Sequence, residues 1–128
     1  MKNSFYLFLL FVGFTKPLSS QSINESIVQK HIYTLANDSM QGRKAGTEGI
    51  EKAAKYIEGQ FKKIGLKYFN NNSFRQTFKY KNKRSRNQEE LKLFNVIGFL
   101  EGNEKKDEIV VISAHYDHLG MNLQGLVI

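Results

Sequence analysis

A chain of 128 residues that is 41% hydrophobic, with ten Phe and six Tyr, carries enough apolar surface for one packed domain and too much for general disorder. It contains no Cys, which excludes disulfides, a thiolate metal site and a cysteine nucleophile. Its formal net charge of +7 points to an anionic partner only if the basic side chains cluster.

Residues 1–20 read as a secretory signal peptide. Lys2 supplies the positive start, Phe5 to Phe14 is an apolar run broken only by Gly13, and Thr15 to Ser20 is small and polar. The run is shorter than the roughly 20 residues that span a bilayer. The mature product of residues 21–128 is therefore expected to be secreted or periplasmic. With no Cys to carry a lipid, no stable membrane association is expected after signal cleavage.

Residues 22–35 have helical spacing: Ile23, Ile27, Val28, Ile32 and Leu35 share one face. Ser22 with Glu25 three residues on forms the pattern of a capping box. His31 lies beside the stripe and reads as a packing or surface residue, because no partner stands at metal-binding spacing. A polar loop over residues 37–46 leads to Thr47, expected to cap a second helix running to about Ile64. Ile50, Ala53, Ala54, Ile57, Phe61 and Ile64 form its buried face. Gly65 stands where a left-handed residue closes a helix, and Leu66 supplies the apolar contact of that cap.

Alternation over residues 74–80 predicts a half-exposed strand, and residues 91–100 a second one. Between them Lys79, Lys81, Lys83, Arg84 and Arg86 crowd a short stretch. No aromatic side chain interleaves with the last of these charges as a base-stacking surface needs, and Glu89 and Glu90 follow. The stretch is read as a solvated loop and no nucleic-acid partner is expected. Residues 108–114 predict a third strand. Ile109, Val110, Val111 and Ile112 are apolar without alternation, which is the pattern of a strand covered on both faces.

That run ends in Ser113-Ala114-His115-Tyr116-Asp117-His118-Leu119-Gly120. Neutral imidazole is a good zinc ligand. A ligating His usually donates its other ring N–H to a carboxylate or carbonyl, a role open to Asp117 two residues on. His118 reads as a loop residue, since pairing it with His115 needs a helical turn that Gly120 interrupts. Spacing alone leaves both a metal site and a chance cluster at a loop start open.

Three segments together resemble the start of family 28 of the metallopeptidases, the co-catalytic di-zinc exopeptidases that include bacterial leucyl aminopeptidases and glutamate carboxypeptidase. They are residues 35–47, with Gly42-Arg43 and Ala45-Gly46-Thr47; the second helix, ending Phe61-Lys62-Lys63-Ile64-Gly65-Leu66; and Asn95-Val96-Ile97-Gly98 followed by residues 108–120. The resemblance implies an α/β fold, a three-layer sandwich with a mixed, largely parallel central sheet, of which residues 21–128 would be the N-terminal part. It implies a secreted aminopeptidase acting on peptide substrates with two zinc ions. It makes His115 the first metal ligand and Asp117 the catalytic carboxylate that orients it. Gly42, Gly46 and Thr47 are read as structural, and Arg43 as an ion-pair partner holding its loop. The bridging Asp, general-base Glu and second His of such a site would lie beyond Ile128, so the chain alone is expected to be inactive. Two relatives by fold are the alternatives: a glutaminyl cyclase using one zinc, and a non-catalytic receptor-like binding module. An exported nucleic-acid binder using the basic stretch is the weakest reading.

Overall fold

The computed structural model describes residues 22–81 and 90–128. The signal-peptide reading of residues 1–20, and Lys83, Arg84 and Arg86 of the basic stretch, lie outside the described residues. The chain divides into two units, Met1–Lys30 and His31–Ile128.

Helix α1 (Glu25–Ala36) forms where the spacing predicts, but its cap is Asn24 rather than the Ser22–Glu25 pair. In the first unit the Asn24 side-chain carbonyl accepts the N–H groups of Ser26 (3.1 Å) and Ile27 (3.3 Å). Asn24 wins because it stands one residue before the helix, where a short side chain reaches the second and third free amides. Ile23, Ile27 and Val28 remain exposed, and α1 carries no buried residue. In the second unit His31 is partly buried and its Nδ1 lies 2.7 Å from the Tyr56 hydroxyl, in keeping with a packing role.

A 3₁₀ turn (Asp38–Arg43) follows, with the Asn37 side chain accepting from the Ser39 N–H at 3.0 Å. Helix α2 (Glu48–Lys63) buries Gly49, Ile50, Ala53 and Ala54, and Ile57 and Phe61 are half-buried. Its end is the predicted cap: Gly65 has φ +75, its N–H donates to the Lys62 carbonyl, and the Leu66 N–H reaches the Phe61 carbonyl. These are the two bonds of a Schellman motif, which satisfies carbonyls the helix leaves free. At the other end Thr47 does not cap through its side chain. Its hydroxyl donates backwards to the Lys44 carbonyl at 2.7 Å.

Strand β1 (Lys67–Tyr68) pairs antiparallel with β4 (Gly98–Phe99). Strands β2 (Arg75–Lys81) and β3 (Glu90–Val96) form the longer hairpin, in antiparallel register from Arg75 opposite Val96 to Lys81 opposite Glu90. Phe74, at the hairpin root, is 3% exposed and meets Phe61 edge-on at 5.6 Å and Tyr68 at 4.5 Å. With Met40, Ile50, Ala53 and Ala54 it forms the core among the described residues. Glu90 faces Lys79 at 2.7 Å and Lys81 at 4.0 Å, so both of these basic side chains already have an acidic partner.

The expected three-layer sandwich with a largely parallel central sheet is not what forms. The two sheets are two-stranded and antiparallel. Residues 108–114, expected as a doubly covered strand, form no strand and pair with none among the described residues. Ile109, Val110, Val111 and Ile112 are 81%, 89%, 79% and 95% exposed. The physical reason is topological. A parallel strand needs a neighbour reached by a crossover of a dozen or more residues, and helices on both faces. The described strands before this run are already paired with one another, β1 with β4 and β2 with β3, both antiparallel.

Candidate metal-binding loop

The loop from His115 to Gly120 is held from below by the 3₁₀ turn. Gln41, Gly42 and Arg43 are three consecutive left-handed residues, with φ +51, +61 and +49. Their conformation presents the Gly42 carbonyl to the Gly120 N–H at 2.9 Å and the Arg43 carbonyl to the His118 N–H at 3.0 Å. The approach is so close that a Cβ at Gly42 would overlap the Gly120 carbonyl. Gly42 is thus required twice, for backbone conformation and for space.

Arg43 is not the ion-pair partner expected from the sequence. Its Nε donates to the Tyr116 carbonyl at 2.8 Å and its Nη1 to the Leu35 carbonyl. The planar guanidinium fork suits this bridging of two peptide groups from separate segments.

His115 and Asp117 come together as the spacing suggested. The half-buried Tyr116 stands between them, while His115 and Asp117 are both exposed. The His115 Nδ1 lies 3.2 Å from the Asp117 carbonyl oxygen and 3.3 Å from its carboxylate Oδ1. With Nδ1–H donating there, Nε2 is the lone-pair nitrogen. The His115 side chain is 84% exposed, so this nitrogen is open to solvent. His118 is tied in through its backbone, and its ring joins no metal-sized group: among the described residues no three His, Asp or Glu side chains gather closely enough to hold an ion.

Tyr116 marks a cluster the sequence reading missed. Arg75 donates to Glu58 (2.5 Å) and Glu51 (2.7 Å), and its guanidinium lies 4.4 Å over the Phe94 ring. The hydrogen bond to Glu58, opposed by partial burial and helped by Glu51, raises the already high Arg75 pKa. Glu51 and Glu58 are seven residues apart on α2, two turns along one face, and Arg75 opens β2; that spacing was the available signal. The Tyr116 hydroxyl is buried without a hydrogen-bond partner among the described residues. Desolvation, with Arg75 acting in the opposite direction and Glu51 and Glu58 adding to it, pushes its pKa up to about 12.

The residues present fit one corner of a zinc shell: one open imidazole nitrogen and a carboxylate that fixes its tautomer. Catalytic zinc normally has about three protein ligands and a water. The described residues do not supply that set, and no hydrolytic step is assigned to them. No protein-family model, curated protein or solved structure matches the chain.

Proposed function

We propose that the chain belongs to a secreted zinc-dependent aminopeptidase, in which His115 is a zinc ligand and Asp117 the carboxylate that orients it. The observation that carries the reading is the approach of His115 Nδ1 to two acceptor oxygens of Asp117, which leaves Nε2 open to solvent. The resemblance to the di-zinc exopeptidases supplies the reaction class. Bound zinc would supply an acidified water and a Lewis acid for a peptide carbonyl. His115 would hold it, and Asp117 would keep the ring in register. The other ligands and the general base must come from outside the described residues.

The test is an assay of the protein as its source cell exports it, on peptides with a free N-terminus. Zinc-dependent loss of one N-terminal residue, abolished by His115→Ala, supports the reading. Product lighter by ammonia from an N-terminal Gln peptide would replace it with a cyclase. Binding without turnover would replace it with a non-catalytic module.

A further inference from the structure

We infer that Arg43 is a positioning residue that locks Asp117 against His115, and that the strained turn around it exists for this purpose. The inference rests on the zinc reading for its purpose, while the geometry itself involves no metal.

Left-handed backbone costs a side-chain-bearing residue roughly 1 kcal/mol, and it persists where the surroundings over-determine it. Gln41 and Arg43 both bear that cost, on either side of Gly42. What the turn secures is specific. The Tyr116 carbonyl belongs to the peptide unit before Asp117, and the Arg43 guanidinium holds it at 2.8 Å. The His118 N–H belongs to the peptide unit after Asp117, and the Arg43 carbonyl holds it at 3.0 Å. One residue therefore grips both peptide units that flank Asp117, one with its side chain and the other with its backbone. The Gly42 carbonyl fixes the exit of the loop at Gly120.

With both flanking peptides fixed, the Asp117 carbonyl oxygen that faces His115 Nδ1 at 3.2 Å has little freedom to turn away, and the carboxylate lies beside it at 3.3 Å. An exposed histidine otherwise samples both tautomers. Here the Nδ1–H form is selected by atoms that Arg43 holds in place. Arg43 itself points its donors at protein carbonyls, which leaves it unsuited to bind substrate.

The experiment compares the unmodified chain with Arg43→Gln and Arg43→Lys, by nitrogen-detected NMR of the His115 ring without metal and then during a titration with zinc alone. Lys keeps the charge but not the fork that spans Leu35 and Tyr116. Both variants should lose the Nδ1–H preference, and the zinc concentration that half-shifts the His115 resonances should rise about tenfold. Amide protection in α2 and along β2–β3 should stay unchanged. A Gln41→Gly background, which relieves the left-handed cost at position 41, keeps the comparison within folded chains. An unchanged His115 tautomer in folded Arg43→Gln would overturn the inference. If the unmodified chain shows no zinc response at all, the zinc reading fails, and the metal-free tautomer shift still decides whether Arg43 positions the pair.

Discussion

A phenol hydroxyl buried without a partner has given up its hydrogen bonds to water and received none in return. Tyr116 is in that position, so Tyr116→Phe should leave the chain equally stable or more stable by about 1 kcal/mol in denaturant melts. Its raised pKa fixes a sign as well. Above pH 10 the unfolded tyrosine ionises while the folded one stays neutral until about 12. The unfolded state then binds fewer protons, so this contribution to stability is full below pH 10 and is lost on going up to about 12. Ultraviolet titration should show a tyrosine ionising near pH 12, and Tyr116→Phe should remove it. At Gly42 a methyl group would meet the Gly120 carbonyl in a backbone conformation that alanine resists. Gly42→Ala should cost about 2 kcal/mol or more and expose the His118 and Gly120 amides to hydrogen exchange. The His115–Asp117 pair was legible in the sequence because a carboxylate two residues on comes within reach of an imidazole where the backbone turns suitably. The carbonyl-holding role of Arg43 was not, because its partners are backbone groups 8 and 73 residues away, and backbone partners leave no trace in residue identity.

Elements whose signals are local form as the sequence indicates. Helix α2 shows this at its end, where Gly65 and Leu66 complete the cap within six residues. The β2–β3 hairpin forms where strands were expected, but Phe78 and Tyr80 are 42% and 47% exposed, so the alternation does not bury one face of β2. Its N-terminal neighbours show the limit: Asn24 and Thr47 both have capping side chains, but the Thr47 hydroxyl turns back to the Lys44 carbonyl although its backbone is extended as a cap requires, and residue type does not encode that choice. Residues 109–112 show a different limit. An unbroken β-branched run specifies extended chain but not its partners, and here both faces are open. Val110→Lys and Ile112→Lys should therefore change unfolding free energy by no more than about 0.5 kcal/mol and reduce light scattering on storage. A loss of several kcal/mol would show that the run is covered and that the sandwich expectation was right. Arg75 joins α2 to β2 through two carboxylates and lies over Phe94. Its removal leaves Glu51 and Glu58 facing each other, and Arg75→Met should lower stability by about 2 kcal/mol.

At the scale of the whole molecule, the 3₁₀ turn holds one loop from which the His115 imidazole is open to solvent. The three-layer sandwich implied by resemblance is not formed by the described residues, whose strands make two antiparallel pairs and leave the most apolar run without a strand partner. At the end of that run His115 and Asp117 pair over the turn that holds their loop, and no third His, Asp or Glu joins them among the described residues. The most direct test is calorimetric titration of the 128-residue chain with zinc, beside His115→Ala. One weak site that disappears in His115→Ala, with no hydrolysis of N-terminal peptides at any zinc concentration, is the result this account predicts. Tight stoichiometric binding that survives His115→Ala, or zinc-dependent aminopeptidase activity from the chain alone, would contradict it.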